Sequence, residues 1–147
     1  MSTHINADGD GCGSETALSR LLGQMGICSK IVNPTPWPEM YKFLLGDDVR
    51  DASDLGSKGL KDAEVLIVLD ISDVKRLGVL AETVRRLTIP KLVIDHHLPS
   101  DEPPSSMMVA DTTACATGEL IYDFATVLGL NVTPDIARSL YLSLIHI

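Results

Sequence analysis

Three short segments of the chain combine carboxylates and imidazoles in a way that could hold metal ions. The first, HINADGDGCGSE, spans residues 4–15. The second, VLDISD, places Asp70 directly after an apolar run, and the third, VIDHH, ends in the triplet 95–97. Mixed oxygen and nitrogen ligands suit divalent cations such as Mn²⁺ or Mg²⁺. These residue types therefore predict a metal site whose ligands come from distant parts of the sequence.

Two such ions about 3.5–4 Å apart would bind a phosphate, make a water molecule acidic and stabilise a leaving oxygen. A single Asp after a strand is more often a helix cap or a turn former, and we interpret Asp73 and Asp111 in that way. The adjacent histidines His96 and His97 are less easily explained, although on a flat strand they would point to opposite faces. Because the three segments occur together, Asp70 and His96 are interpreted as ligands.

The elements that must position these residues follow from the apolar pattern. Apolar runs without alternation predict strands buried on both faces, at residues 27–32, 65–69, 92–94 and 107–110. Helical patterns lie between them, and their predicted first residues or caps are Ser14, Asp73, Thr117 and Thr133. Residues 33–38 and 46–59 are predicted loops. The alternation predicts an α/β fold, a mostly parallel sheet with helices on both faces, with the three segments at the carboxyl ends of its strands.

Composition limits the class of protein. The 147 residues fit one domain, and 12 Lys and Arg against 20 Asp and Glu give a net charge of -8. That charge argues against a duplex DNA partner, but metal ions could still bring a nucleotide to the site. The three cysteines form no CxxC pair, which is typical of a reducing cytoplasm. The sequence shows neither a membrane-spanning run nor a signal peptide, so we expect a cytoplasmic protein with no membrane partner.

Both ends of the sequence predict that the chain is part of a longer protein. Only three residues precede His4, where a strand should lie. The last helix runs into the apolar segment 144–147.

In their order and spacing, the three segments resemble the motifs of the DHH phosphoesterase superfamily, named for the triplet that is here Asp95-His96-His97. The segment MVADTTACATGELIYDF, residues 108–124, resembles the branch of nano-RNases (oligoribonucleases) and adenosine 3',5'-bisphosphate phosphatases. The resemblance covers nearly all of residues 1–147 and implies a partial DHH catalytic domain. It also implies a C-terminal substrate-binding domain that this sequence does not contain.

The resemblance implies two Mn²⁺ ions as cofactors, with Mg²⁺ as the alternative. One ion would be held by His4, Asp8 and Asp70. The other would be held by Asp10, Asp70 and His96, so that Asp70 bridges the two.

The resemblance also assigns the remaining residues and the reaction. His97 would face the substrate phosphate, and Asp95 would orient the histidines from outside the ligand set. The implied reaction is attack of water on phosphorus, which hydrolyses short oligoribonucleotides or releases phosphate from adenosine 3',5'-bisphosphate. Alternatives are a cyclic-dinucleotide phosphodiesterase, an inorganic pyrophosphatase or polyphosphatase, and, in a different class, a non-catalytic fragment that binds metal or nucleotide.

One departure from the family pattern concerns the end of the chain. The family has a further ligand Asp in a strand where this sequence has Ile145, His146 and Ile147. His146 is interpreted as a residue that fills this strand, rather than as a replacement for the missing Asp.

Overall fold

The computed structural model describes residues 1–146, and its centre is a three-stranded parallel sheet. The strands are β1 (Leu66–Leu69), β2 (Lys91–Asp95) and β3 (Met108–Ala110), in the order β1-β2-β3. The predicted parallel sheet is confirmed. The expectation that every strand is buried on both faces is wrong for β3, because it forms an edge of this sheet and Val109 is 52% exposed.

Residues 1–3 extend the sheet along the free side of β1. The amide of Ser2 donates to the carbonyl of Ile67 (3.0 Å), and the amide of Leu69 donates to the carbonyl of Ser2 (2.9 Å), which forms a parallel bridge. The amide of Val32 in turn donates to the carbonyl of Met1 (2.9 Å). The short segment that leads into His4 is therefore held on both sides.

The predicted strand at residues 27–32 is largely wrong. Only Ile31 forms a bridge, with Asp51, and residues 27–30 have no regular structure. The apolar character of this run is broken by Cys28, Ser29 and Lys30, which are exposed or half-buried. A strand needs a partner along its length, and among the described residues only positions 30–32 of this run form backbone hydrogen bonds with other segments.

Helices cover both faces of the sheet, as predicted. The α-helices of residues 1–146 are α1 (Gly9–Gln24), α2 (Ala81–Arg86), α3 (Thr117–Val127) and α4 (Pro134–Ile145). The described residues also form 3-10 helices at Glu39–Leu44, Ser53–Leu60 and Val74–Leu80; the first lies between the two predicted loops, and the second overlaps the predicted loop 46–59. Leu69 and Ile94 pack in one core with α1, α3 and α4, whereas Val68 and Val93 pack in a second core with residues 74–84. None of the described helices is long and apolar enough to cross a membrane.

The start of α1 differs from the prediction. The helix begins at Gly9 and not after Ser14, because the Asp8 carboxylate accepts hydrogen bonds from the amides of Asp10 (3.0 Å) and Gly11 (3.1 Å). Ser14 lies in the second turn, where its hydroxyl donates to Asp10 Oδ1 (3.1 Å). The polar residues of the first segment are thereby fixed on the first two turns of a buried helix.

The other predicted caps agree with the structure. Asp73 accepts from the amide of Lys75 (2.8 Å), and Thr133 caps α4 with Pro134 in its first turn. The helix after Asp73 is not continuous, because Gly78 adopts a φ of +50° inside the 3-10 helix that precedes α2.

Small residues let α4 approach α1 closely. A Cβ at Gly13 would collide with the carbonyl oxygen of Ser139. The predicted strand near the end of the chain is wrong for Ile145, which is the last residue of α4, and His146 caps that helix. Ile147 lies outside the described residues. The helix, not a strand, therefore brings His146 to the edge of the sheet.

Candidate metal centre

The three segments meet in one cleft at the carboxyl ends of β1 and β2, beside the start of α1. The cleft has a volume of about 260 Å³. Its lining residues are Asp8, Asp10, Asp70, Arg76, His96, His97, Cys115, Ser143 and His146. His4 and Asp95 are buried at its floor, 5% and 0% exposed. All seven residues predicted for the site therefore lie in or directly beneath this cleft.

The first group of possible ligands is His4, Asp8 and Asp70. His4 Nε2 lies 3.6 Å from Asp8 Oδ1 and 3.4 Å from Asp70 Oδ2, and this buried nitrogen has no hydrogen-bond partner among the described residues. Both separations are longer than an ordinary hydrogen bond. Two ligand atoms that share one ion at about 2.2 Å lie about 3.1–3.6 Å apart. The donor set and its spacing fit a divalent cation.

The orientation of His4 also suits a metal ligand. Its Nδ1 lies 2.9 Å from the carbonyl oxygen of Ile5, so that Nδ1 donates there and Nε2 is left for a ligand bond. The amide of Ile5 donates to the carbonyl of Arg76 (2.9 Å). The backbone thus fixes the ring before any ion arrives.

The second group is Asp70, His96 and His97. His96 Nε2 lies 3.7 Å from Asp70 Oδ1 and 3.4 Å from Asp10 Oδ2. The two imidazole rings stand 4.4 Å apart, so both reach the cleft. The expectation of opposite faces fails because β2 ends at Asp95 and the chain bends at the histidines.

Asp95 holds the second histidine in place. Its Oδ1 accepts from the amide of His96 (2.9 Å) and from His97 Nδ1 (2.7 Å). Because His97 Nδ1 donates to Asp95, the His97 Nε2 atom is available to an incoming group. His97 is 43% exposed at its side chain, which leaves it open to substrate.

Asp70 joins the two groups through its two oxygens, Oδ2 toward His4 and Oδ1 toward His96 and His97. It has a φ of +63°, in the left-handed region that Asp tolerates better than most residues. The amide of Asp70 donates to the carbonyl of Ile94 (3.0 Å), and the Thr117 hydroxyl donates to its Oδ1 (3.1 Å). These contacts hold the strained residue at the strand end.

Asp10 has a structural role that its spacing does not reveal. Its carboxylate accepts from the Ser14 hydroxyl, the Ser143 hydroxyl (2.5 Å) and the amides of Thr117 (2.9 Å) and Gly118 (3.3 Å). It therefore accepts hydrogen bonds from the free amides in the first turn of α3 and links that helix to α1 and α4. Its predicted role as a ligand of the second ion stays a prediction.

The charges of the first group are mutually dependent. Burial lowers the pKa of the His4 imidazole, but the carboxylates of Asp70 and Asp8 outweigh it and raise that pKa to about 10. Burial would raise the pKa of Asp8, yet His4 and the Gly11 amide hold it below its usual range. Burial raises the pKa of Asp70, and the nearby Asp10 and Asp8 add to this while His4 opposes it only in part. Without metal, His4 is a buried cation between carboxylates.

Metal binding should therefore release a proton. A ligand imidazole must be neutral, whereas His4 in the metal-free protein stays protonated up to a pH near 10. We expect calorimetric titrations with Mn²⁺ at pH 7.5, in buffers of different ionisation enthalpy, to show release of about one proton per chain. The apparent affinity should rise about tenfold per pH unit between pH 7 and 8. Titrations with no buffer dependence would contradict a ligand role for His4.

Sequence reasoning did not predict two further side chains of the cleft, Arg76 and His146. Arg76 follows the Asp73 cap in a segment that looks like an ordinary exposed helix turn, and its guanidinium has no ion pair in residues 1–146. His146 reaches the cleft only through the close packing of α4 on α1. Neither has a local sequence signal.

Comparison with known proteins gives matches to a family model and to solved structures. A model of the DHH family, N-terminal domain, matches residues 1–144. A crystal structure of an exopolyphosphatase-related protein from Bacteroides fragilis superposes with a TM-score of 0.86 at 23% sequence identity, covering 98% of this chain and 44% of that one. The structure of exonuclease RecJ bound to manganese gives a TM-score of 0.53 at 16% identity, covering 95% and 36%. The chain thus spans less than half the length of either protein.

Proposed function

We propose that this chain, which belongs to the DHH family as an N-terminal domain, is the metal-binding part of a phosphoesterase that hydrolyses small nucleotides. The observation that carries the proposal is the buried Nε2 atom of His4. It has no hydrogen-bond partner in the described chain and faces two carboxylates at 3.4 and 3.6 Å. A second imidazole, His96, faces the other oxygen of Asp70. This arrangement fits two cations on either side of one carboxylate.

The chemistry divides between the ions and the protein. Divalent cations bound there would place positive charge near the phosphate oxygens. They would also lower the pKa of a water molecule, so that its deprotonated form could attack phosphorus near neutral pH. In this proposal His4, Asp8 and Asp70 hold one ion, and Asp10, Asp70 and His96 hold the other. His97, oriented by Asp95, presents Nε2 to a phosphate oxygen, and Arg76 adds a second cation at the rim of the cleft.

Small nucleotides are the proposed substrates, namely short oligoribonucleotides and adenosine 3',5'-bisphosphate. A cleft of about 260 Å³ and a net charge of -8 favour a small substrate over a nucleic-acid duplex. The likeness of residues 108–124 to the nano-RNase and bisphosphate phosphatase branch supports this choice. Mn²⁺ is the proposed cofactor, and the manganese bound to RecJ supports it. The grip on the nucleoside would come from a C-terminal domain beyond this sequence.

Inorganic polyphosphate is a second candidate substrate. The Bacteroides fragilis protein that shares this fold is described as exopolyphosphatase-related. Both substrates present a phosphate to the same cations, so the distinction lies in what recognises the rest of the molecule.

The test is hydrolysis by the purified chain with Mn²⁺, Mg²⁺ or a chelator. Adenosine 3',5'-bisphosphate, a trinucleotide and polyphosphate are offered separately, and phosphate or mononucleotide release is measured. We expect slow, Mn²⁺-dependent turnover by this chain alone, and turnover that is greatest on a nucleotide substrate when the assay is repeated with a protein extended to include the C-terminal domain. Faster release from polyphosphate would establish the second candidate, and a chain that binds two Mn²⁺ but turns over none of the substrates would identify a binding domain without catalysis.

A further inference from the structure

The guanidinium of Arg76 stands at the rim of the cleft without an anionic partner in the described chain. Arg76 lines the cleft together with three carboxylates, yet it forms no ion pair within residues 1–146. By contrast, the neighbouring Lys75 and the cation Arg85 both pair with Glu102. The donors of Arg76 are therefore left for an anion from outside the described residues, although the chain has a net charge of -8.

The carboxylates of the cleft are held by other contacts. Asp8 accepts from amides at the start of α1, and Asp10 accepts from amides and hydroxyls of α1, α3 and α4. Asp70 faces the histidines with both of its oxygens. Because Arg76 contacts none of these carboxylates, it does not compete with cations for their proposed ligands.

The backbone fixes Arg76 beside one of the proposed metal ligands. Its amide donates to the carbonyl of Asp73 (3.0 Å), and its carbonyl accepts from the amide of Ile5 (2.9 Å), the residue after His4. Gly78 permits this close approach, because a Cβ there would collide with the Ile5 side chain. The base of the Arg76 side chain is thus held against the segment that carries His4, while the side chain itself is exposed.

Depth in the cleft separates the groups that these residues can contact. His4 and Asp70 are 5% and 2% exposed, so ions held there, and the phosphate that reacts on them, would lie at the floor. His97 follows β2, on one side of β1, whereas His4 follows the segment paired to the other side. Arg76 stands at the rim on the His4 side, so it meets a group that lies farther from the ions than the reacting phosphorus.

We propose that Arg76 binds a second phosphate of the substrate, one that is not hydrolysed, and thereby selects small nucleotides with two phosphates over those with one. The inference rests on the proposed function and adds a substrate class to it. An Arg guanidinium binds a phosphate through two parallel N–H···O bonds, which a Lys ammonium cannot reproduce. Both proposed nucleotide substrates, adenosine 3',5'-bisphosphate and a short oligoribonucleotide, carry such a second phosphate.

Two other roles of Arg76 predict different results. If the guanidinium contacted the reacting phosphate, its loss would weaken the binding of monophosphates and bisphosphates equally. If it acted only through its charge, removal of the neighbouring Lys75 would have the same effect. Lys75 is exposed, lies outside the cleft lining and carries the same charge, so Lys75→Ala is the matched control.

The experiment measures nucleotide binding to the Mn²⁺-saturated chain by calorimetry, at about 0.15 M salt so that distant surface charges are largely screened. The ligands are adenosine 3',5'-bisphosphate, adenosine 5'-monophosphate and adenosine 3'-monophosphate. Wild type, Arg76→Ala, Arg76→Lys and Lys75→Ala are compared. Chromatography verifies that the bisphosphate stays intact during the titration. Elemental analysis and thermal unfolding in chelator verify that each variant holds the same metal and is folded.

We expect wild type and Lys75→Ala to bind the bisphosphate at least about tenfold more tightly than either monophosphate. In Arg76→Ala this preference should disappear, with Mn²⁺ content and the affinity for the tighter monophosphate unchanged, and Arg76→Lys should recover part of it. The inference would be overturned by a wild type without the preference, by an equal loss for both kinds of nucleotide in Arg76→Ala, or by loss of the preference in Lys75→Ala. Each of these results leaves the proposed function standing, whereas a Mn²⁺-loaded wild type that binds none of the three nucleotides would overturn both.

Discussion

Replacement of Asp70 by Asn is expected to abolish binding of both cations. One Asp70 oxygen faces His4 at 3.4 Å, and the other faces His96 and His97 at 3.7 Å, so the loss of the negative charge affects both groups at once. An amide is a poor ligand for these ions and cannot bridge them through two anionic oxygens. Without the ions, hydrolysis should fall on the order of a thousandfold or more.

The same substitution should leave the fold intact. Asn tolerates the left-handed conformation that Asp70 adopts, at a φ of +63°, at least as well as Asp does. Burial raises the pKa of Asp70, which means that its charge is unfavourable in the metal-free protein. We therefore expect the unfolding temperature of Asp70→Asn in chelator to equal or exceed that of wild type, while the increase caused by Mn²⁺ disappears.

Two variants serve as controls for this prediction. Asp73→Asn changes a neighbouring helix cap, where Asn caps as well as Asp, and should not alter metal content. His97→Ala should retain both Mn²⁺ ions and lose affinity for phosphate, because His97 Nδ1 already donates to Asp95. Elemental analysis of the purified proteins decides the matter, and an Asp70→Asn protein with two bound Mn²⁺ would refute the bridging role.

The strand-end ligands were predictable because one geometric rule governs them. Parallel strands carry their carboxyl ends to the same edge, so Asp70 after β1 and Asp95 at the end of β2 had to lie close together. The helix that follows β1 was also predictable in outline from its Asp73 cap. A helix cap and the end of an apolar run depend only on residues that are neighbours in the sequence, so both can be recognised before the fold is known.

The remaining features depend on contacts between distant segments. The position of His146 follows from the close approach of α4 to α1, which Gly13 permits and which no local pattern records. Asp10 caps α3 across more than a hundred residues, so its spacing indicates a ligand but not a helix cap. The predicted strand 27–32 failed for a related reason, because strand formation needs a partner that periodicity does not supply.

Glu15 leads to a second prediction of large effect, this one on stability. Its side chain is fully buried in α1, and within residues 1–146 only one of its oxygens has a hydrogen-bond partner, the Asn33 side-chain amide at 2.8 Å. The side-chain oxygen of Asn33, Oδ1, accepts a hydrogen bond from the backbone amide of Thr3 (3.0 Å), the residue before His4. Burial raises the pKa of Glu15 from 4.5 to about 8, with the Asn33 hydrogen bond opposing this in part.

The direction of the pH dependence follows from that shift. Between pH 4.5 and 8 the folded protein keeps a proton on Glu15 that the unfolded chain has already released. The stabilisation of the fold by this bound proton is therefore complete below pH 4.5 and is lost as the pH rises through 8. Glu15→Gln cannot titrate and mimics the protonated acid. At 1.36 kcal/mol per pKa unit, the free energy of unfolding of wild type should fall by about 3 kcal/mol relative to Glu15→Gln between pH 5 and 8.

Urea unfolding at several pH values, in chelator so that no cation contributes, measures this difference. The exposed Glu64→Gln substitution is the matched control and should follow the wild-type curve. Parallel pH profiles for wild type and Glu15→Gln would show that Glu15 is ionised in the folded protein and that its charge is compensated there. A widening gap would instead show that the carboxyl beneath the metal centre is kept neutral. The segment leading into His4 would then be supported by an uncharged hydrogen-bond network, which adds no further negative charge under a site already occupied by three carboxylates.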